Sequence, residues 1–311
     1  RYVNEYVRNF VDGDPIPGIE WEYQMMSMVA NQVPVEAINQ SFNAMFTDDN
    51  RIMLVMSPEK EGYVVPTEEE LEAVVKSVDA ETIEAYVDNV KTEPLIANLP
   101  AAGKIVSETD NAQWGATEWT LSNGAKVLVK PTTFKDDEIR FQAIAKNGTA
   151  QFGDEMATSL MFMPSVLGQY GLGSYTYADF QKYMAGKQAS VGLSFEDYAR
   201  QLYGSATTKD LTTLMEIIYM VFTDLNVTES EYTSLQNMYA GMLENQAANP
   251  QFIFQKNLQA TLYNNPRFQM IDSELIKAAD RAQILDMTHK MLANAADYTF
   301  VFVGNIDVNT L

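Results

Sequence analysis

The strand signals that begin at residue 119 constrain the fold most. The stretch "WTLSNGAKVLVK", residues 119–130, predicts a β-hairpin, because Asn123 and Gly124 stand between apolar flanks and form the kind of turn that matches the twist of paired strands. In "EIRFQAIAKNG", residues 138–148, polar and apolar side chains then alternate. Ile139, Phe141, Ala143 and Ala145 fall on one face, and Arg140, Gln142 and Ile144 on the other. The pattern predicts a sheet with one buried face.

Long helical patterns follow these strands. Residues 154–168, 177–184, 208–222 and 228–247 have helical spacing, and the last begins with a capping box formed by Thr228 and Glu231. Two more strands are predicted within residues 187–207, and "DYTFVFVGNID", residues 297–307, is a final one. The order predicts an α+β fold, with a mostly antiparallel sheet and helices packed on one face.

The first residues repeat, in diverged form, the order of elements found at the end of the chain. Both regions read as a helix, a proline-bearing loop, two helices and an apolar strand, the first strand being "RIMLVMS", residues 51–57. Ile38, Met45, Phe46 and Ile52 align with Ile284, Met291, Leu292 and Tyr298 at one offset of 246 positions. We therefore interpret residues 1–57 as a partial copy of the same kind of domain, namely its C-terminal part, with the beginning missing.

An acidic connector separates the two copies. Residues 58–114 contain four prolines and one clear helix start, where Thr67 is the cap and Glu70 stands three residues later. The predicted domains are thus residues 1–57, the connector 58–114, and a complete or nearly complete second domain at 115–311. A length of 311 residues agrees with about two domains.

Composition excludes several functional classes. The 21 basic and 42 acidic side chains leave a net charge of −21, which would repel a nucleic acid backbone. No apolar run reaches the about 18 residues of a transmembrane helix. The absence of cysteine removes disulfides, thiolate nucleophiles and cysteine-ligated zinc. We expect neither nucleic acid nor a membrane span as part of this chain's function.

No local motif indicates a catalytic centre. His289 is the one histidine, and its place near a helix end is typical of a surface residue favoured by the helix dipole. A nitrogen-ligated zinc site needs more than one histidine. The glycines near residues 168–173 and the pair Gly186-Lys187 lack the spacing of phosphate-binding loops. The sequence predicts no catalytic residue and no metal ligand.

The combined stretches nevertheless resemble a known family. "WTLSNGAKVLVKPTTFKDDEIRFQAIAKNGTA", "GLGSYTYADFQKYMAGKQASVGLSFEDYARQLYGSATTKDLTTLMEIIYMVFT" and "DYTFVFVGNID" resemble the third domain of the pitrilysin/insulinase-like zinc metallopeptidases, the inverzincins. "NEYVRNFVDGDPIPGIEWEY" and "RIMLVMSPEKEG" resemble the end of the second domain and the connector of bacterial members. The likeness extends over nearly the whole chain.

The resemblance implies a LuxS/metallohydrolase-like lobe of a four-domain peptidase, in which two halves enclose a chamber for a peptide substrate. The family's zinc is held by H-x-x-E-H in its first domain, which would lie upstream of this chain, and the third domain keeps the fold without the metal. In this alignment Thr158, Met161 and Phe162 stand at the first histidine, the glutamate and the second histidine. The resemblance thus implies that this helix is core at the place of a lost zinc centre.

Three functional hypotheses remain at this point. The chain is a piece of a zinc metalloendopeptidase that contributes chamber wall and hinge, with the other domains and the peptide as partners. Alternatively, it belongs to an inactive family member that serves as a scaffold or binds partners. A free-standing peptide-binding module would require residues 1–57 to fold alone, which the half repeat disfavours. For the compartment, which the sequence leaves undetermined, the resemblance favours the bacterial periplasm.

Overall fold

The computed structural model describes residues 2–30, 32–46, 52–57, 62, 64–84, 86–308 and 311, and the chain divides into two units, 1–85 and 86–311. The helices are α1 (Tyr2–Asp12), α2 (Ile19–Ala30), α3 (Val35–Ala44), α4 (Glu68–Ala80), α5 (Ala157–Leu167), α6 (Tyr177–Tyr183), α7 (Leu211–Asp224), α8 (Glu229–Gln246), α9 (Pro250–Leu262), α10 (Ser273–Ala278) and α11 (Arg281–Leu292). The strands are β1 (Ile105–Asn111), β2 (Ala116–Leu121), β3 (Lys126–Pro131), β4 (Ile139–Lys146), β5 (Gly171–Leu172), β6 (Ala189–Phe195), β7 (Ala199–Ala206), β8 (Leu225–Asn226) and β9 (Thr299–Gly304).

The first unit consists of four helices that bury none of their described residues. Its α4 begins with the predicted capping box, in which the Thr67 hydroxyl accepts from the Glu70 backbone N–H and the Glu70 carboxylate accepts from the Thr67 N–H. The apolar stripes of these helices therefore remain exposed within the unit.

The second unit is built on a seven-stranded sheet in the order β1-β2-β3-β9-β4-β7-β6. Its neighbouring strands pair antiparallel except for β3 and β9, which are parallel. The predicted alternation in β4 is confirmed, since Ile139, Phe141, Ala143 and Ala145 are buried. Against this face α7 packs on β6 and β7, and α5 packs on β6 and on α11. The predicted α+β architecture is confirmed.

The predicted buried strand at 51–57 is wrong for its described part, residues 52–57. These residues pair with no strand among the described residues, and Ile52 and Met56 are 90% and 86% exposed. An apolar run forms a strand only where a neighbour accepts and donates its backbone hydrogen bonds. Arg51 lies outside the described residues.

The predicted hairpin joins β2 to β3, but its turn differs from the expected form. Gly124 has φ +88° and its N–H donates to the Leu121 carbonyl, whereas Asn123 keeps a negative φ. The Asn123 side chain instead accepts from the Ala125 N–H at 3.0 Å. The loop is thus the three-residue form in which glycine alone takes the left-handed conformation.

The predicted connector, residues 58–114, divides between the two units. Its α4 lies in the first unit, whereas Leu95, which is buried, and β1 belong to the second. The helix starts agree with the repeat, since α3 and α11 begin at Val35 and Arg281, which differ by the predicted 246 positions. The partial copy and the domain limits remain predictions.

Candidate functional site

The entry to α5 is fixed by an arginine from a distant part of the chain. A short 3₁₀ turn, Asp154–Met156, leads into the helix, and Asp154 accepts from Arg267 at 2.9 Å. The same guanidinium donates to the backbone carbonyls of Phe152 and Thr149. Because one planar cation bridges three acceptors, the turn that positions α5 is held in one geometry.

The three positions singled out by the sequence lie on one stretch of α5. Thr158 and Met161 are half-buried, and Phe162 is completely buried. The Phe162 ring packs edge-on against Tyr232 and Tyr239 of α8, at centroid distances of 6.0 Å and 5.6 Å. Such aromatic pairs stabilise a core beyond the area that they bury. Phe162 is therefore a packing residue between α5 and α8.

Polar groups near Phe162 are used for structural hydrogen bonds. The Tyr232 hydroxyl donates to the Ala279 carbonyl at 2.6 Å, and burial raises the pKa of Tyr232 to about 12. The Ser159 hydroxyl donates to Gln283 at 2.9 Å and accepts from the Asp280 N–H at 3.0 Å. These bonds tie α5 and α8 to the segment that leads into α11.

The donor set at these three positions does not fit zinc. These positions offer a hydroxyl, a thioether and a phenyl ring, whereas zinc in proteins takes nitrogen, thiolate or carboxylate ligands. Within the described part of the chain, no group of three or more His, Asp or Glu side chains is placed to hold a metal ion. His289 is exposed, as predicted, and its Nε2 contacts the Leu225 carbonyl at 2.9 Å.

A second feature lies at the start of the second unit, where residues 86–95 form a segment without helix or strand that we call the strap. Lys91 pairs with Asp179 of α6 at 3.0 Å, and the Tyr175 hydroxyl donates to the Glu93 carbonyl at 2.5 Å. Lys182 of α6 pairs with Asp88 and donates to the Tyr86 hydroxyl. Buried Leu95 ends the strap.

Electrostatics reinforce both lysine contacts of the strap. The hydrogen bond from Lys182 holds the pKa of Asp88 below its ordinary value, and the hydrogen bond from Lys91 does the same for the pKa of Asp179. No local pattern in the sequence predicts these contacts, because the paired residues are 88 and 94 positions apart (179 − 91 and 182 − 88). The one hint of such an ion pair in the sequence is Lys91, an isolated lysine in an acidic stretch.

Comparison with known proteins finds relatives that are named as zinc proteases. No family model matches. "Zinc protease PQQL-like" of Arabidopsis thaliana is 22% identical over 307 residues, which is 98% of this chain and 30% of that protein. "Probable zinc protease PqqL" of Escherichia coli (strain K12) is 21% identical over 234 residues, 75% of this chain and 25% of that protein. The chain thus spans less than a third of the length of these relatives.

Solved structures share the fold. The periplasmic protease PqqL from Escherichia coli superposes with a TM-score of 0.60 at 18% identity, over 99% of this chain and 34% of that one. A mutant of the ferredoxin protease FusC, in complex with Arabidopsis ferredoxin, gives a TM-score of 0.59 at 14% identity with the same coverage. These findings confirm the resemblance read from the sequence: over nearly its whole length the chain is a homologue of PqqL-like zinc proteases, which are pitrilysin/insulinase-like peptidases.

Proposed function

We propose that this chain is the part of a zinc metalloendopeptidase that forms chamber wall and hinge and performs no hydrolysis itself. The observation that carries the proposal is the packing of α5, where Phe162 fills the core at the position assigned to the family's second histidine. The zinc of the parent enzyme is then bound by an upstream domain. The substrate is a peptide or an unfolded polypeptide held between that domain and this one.

The energetics of α5 support a structural role. Phe162 is completely buried, and an aromatic side chain in that position stabilises the fold by roughly 1.5–3 kcal/mol relative to an exposed one. A glutamate at position 161 and a histidine at position 162 would instead have to be desolvated without a metal to compensate them. Once the ligands were lost, apolar replacements became the favourable occupants of this helix.

The strap supports the hinge part of the proposal. Two lysine–carboxylate pairs and the Tyr175 hydroxyl hold residues 86–95 on the second unit. When one end of a connector is bound to a domain, that end moves together with the domain. Bending is then confined to the part of the connector that is not bound. The hinge is therefore proposed upstream of the strap.

Peptide cleavage tests the proposal. The purified chain is incubated with zinc and an unfolded, fluorescently labelled peptide, and a parallel sample contains a chelator. We expect no cleavage above the chelated sample, because Thr158, Met161 and Phe162 supply no zinc ligands of the required kind. Zinc-dependent cleavage by the chain alone would overturn the assignment of a non-catalytic lobe.

The second candidate is a scaffold subunit of an inactive family member. The filled position of Phe162 agrees equally with this function, since a lobe without metal is all that a scaffold requires. The two candidates separate on the longer protein from which the chain derives. Zinc-dependent cleavage by that protein supports the peptidase, and its absence together with retained partner binding supports the scaffold. For the peptidase we also propose the periplasm, the compartment named for the Escherichia coli structure.

A further inference from the structure

The seven-stranded sheet has a second face, opposite to its buried one, which we call the outer face. Buried and more exposed side chains alternate along β3, β4 and β9. The charged side chains that these strands and β2 place on the outer face are Glu118, Lys126, Lys130, Arg140 and Lys146. The whole chain has 42 acidic and 21 basic side chains, so this face, with four cations and one acid, has the opposite balance.

Part of this positive charge is not neutralised within the second unit. Arg140 pairs with Glu138 at 3.3 Å. Lys126 and Lys146, by contrast, form no ion pair with any other residue that the structure describes, and both are exposed. These two lysines are therefore free to pair with the anionic groups of a ligand.

Two clefts cross the outer face between these lysines and meet at Thr299. The first, of about 360 Å³, is lined by Lys126 together with neighbours on β1, β2 and β3. The second, of about 500 Å³, is lined by Lys146 and includes the ion pair of Arg200 with Asp297 at 3.3 Å. Because Thr299 of β9 lines both clefts, they form one trough across the sheet.

The strand register sets the distance between the two lysines. Lys126 of β3 and Ile144 of β4 are both paired with Thr299 of β9, so two strand spacings separate them, and Lys146 lies two residues further along β4. With about 4.8 Å between strands and about 3.3 Å per residue, the Cα atoms of Lys126 and Lys146 are roughly 12 Å apart. In an extended peptide, residues four positions apart point to the same side and lie about 13 Å apart. Two acidic residues at this spacing match the two lysines.

We propose that the trough binds an extended acidic segment of the polypeptide substrate, whose carboxylates pair with Lys126 and Lys146. This inference rests on the proposed function and deepens it, because the outer face is then a surface of the chamber wall and selects a class of substrate. Thr120 and Thr299 also line the trough. Their hydroxyl groups offer the peptide backbone hydrogen-bond partners, directly or through water.

A peptide fits this charge pattern better than a nucleic acid does. A nucleic acid has a phosphate at every nucleotide and would bring negative charge close to Glu118 and Asp297, which line the same trough. A peptide carries carboxylates only at the positions that face the lysines. The net charge of −21 on the whole chain also opposes the approach of a long polyanion.

Peptide binding measured by fluorescence anisotropy tests the proposal. The probe is an unfolded peptide of about a dozen residues with two glutamates four positions apart and an uncharged dye, and its partner peptide has glutamine at both positions. We expect the purified chain, without zinc, to bind the glutamate peptide more tightly by roughly four- to 25-fold. Lys126→Gln and Lys146→Gln should each weaken that binding by roughly two- to fivefold, as is usual for an exposed ion pair, and should leave the binding of the glutamine peptide unchanged. The preference should decline as salt is added.

Two controls make the outcome decisive. Lys290→Gln removes the same charge from an exposed position on α11 and should leave the affinity for the glutamate peptide unchanged. Unfolding in urea at the parent midpoint shows that each variant is folded. Equal affinity for the two peptides, no binding of either, or the same loss in Lys290→Gln as in the outer-face variants would overturn the acidic-peptide trough. Tighter binding of a single-stranded oligonucleotide of equal length would overturn it as well, in favour of phosphate recognition.

The outcomes are independent of the peptidase assay, because binding is measured without zinc. If the chain alone cleaves peptide in the presence of zinc, the proposed non-catalytic role fails while the lysine-dependent binding can still be observed. If the chain is inactive and shows no preference for the glutamate peptide, only the trough proposal fails.

Discussion

The regions around α3 and α11 have the same apolar pattern and opposite surroundings. In the first unit Ile38, Met45, Phe46 and Ile52 are 57%, 78%, 65% and 90% exposed, whereas their counterparts Ile284, Met291, Leu292 and Tyr298 are 0%, 0%, 2% and 1% exposed. Both segments nevertheless form helices, and the starts of α3 and α11, Val35 and Arg281, differ by the same 246 positions. A helical pattern therefore determines the helix but not its burial, which requires a partner surface.

For α11 that surface is supplied by other elements of the second unit. The helix packs against α5 and α7, and the Tyr298 hydroxyl that follows it donates to the Met291 carbonyl at 2.8 Å. Helices α1, α2, α3 and α4 bury none of their described residues. Because burying one Ile or Met side chain contributes roughly 1.5–3 kcal/mol, most of the stability is expected in the second unit.

The largest effect is expected from truncating a buried aromatic ring in the second unit, and an exposed ring in the first unit serves as the comparison. Phe162→Ala should lower the free energy of unfolding by about 3–5 kcal/mol, because it leaves a cavity between α5 and α8. Phe42→Ala on α3, where the side chain is 59% exposed, should change it by less than about 0.5 kcal/mol. Urea denaturation followed by circular dichroism measures both. Similar losses for the two variants would contradict the difference between the regions.

The aligned methionines sharpen the same comparison at one repeat position. Met291→Ala should cost about 2–5 kcal/mol, since Met291 is completely buried. Met45→Ala should be nearly neutral, because Met45 is 78% exposed. The measurement is again the midpoint and slope of urea unfolding. A large cost at Met45 would mean that α3 is buried in solution.

Alkaline pH should affect the second region through Tyr298. Burial raises the pKa of Tyr298 to about 12, from an ordinary value of 10.0. The unfolded chain therefore loses this proton first, so the stability contribution is complete below about pH 10 and is lost as the pH rises towards 12. Tyr298→Phe should cost about 1 kcal/mol at pH 8, through the lost hydrogen bond to Met291.

The same variant should lose less stability than the parent between pH 10 and 12. Tyr232 has a similarly raised pKa, about 12, so part of the alkaline loss should remain. Unfolding curves at stepped pH, with tyrosinate absorbance recorded in parallel, test this sign. An unchanged pH profile in Tyr298→Phe would show that this residue does not carry the effect.

The smallest effect is expected at the strap. Lys182→Ala removes its contacts with Asp88 and Tyr86, and should make cleavage after Lys91 by trypsin faster by roughly two- to fivefold, as is usual for an exposed ion pair. Lys76→Ala, which breaks the exposed pair with Glu72 on α4, is the matched control and should leave that rate unchanged. Equal rates for all three proteins would show that Lys182 does not hold the strap.

The sequence predicted those features that depend on local chemistry. The alternation in β4 and the capping boxes at Thr67 and Thr228 appear where they were predicted, since each depends on residues close together in the chain. The run at 51–57 was misread because the pattern of a buried strand contains no information on whether a neighbouring strand is present. The contact of Lys91 with Asp179 and the position of Lys126 and Lys146 on either side of Thr299 likewise depend on residues distant in sequence.

For the candidate site, the sequence predicted that the helix at Thr158, Met161 and Phe162 is core. The complete burial of Phe162 agrees with that prediction, whereas its aromatic partners Tyr232 and Tyr239 had no signal beyond the apolar stripe of α8. The correspondence of these positions to H-x-x-E-H remains a prediction. A long alignment to the zinc-binding domain of the parent protein would sharpen it.

Zinc binding measured by native mass spectrometry tests the central claim most directly. The chain is dialysed against excess zinc, desalted and weighed intact, with Thr158→Ala and Met161→Ala variants treated in the same way. A lobe whose metal position is filled by packing residues is predicted to have the mass of the metal-free chain in all three samples. One zinc per chain, lost in either variant, would contradict the account.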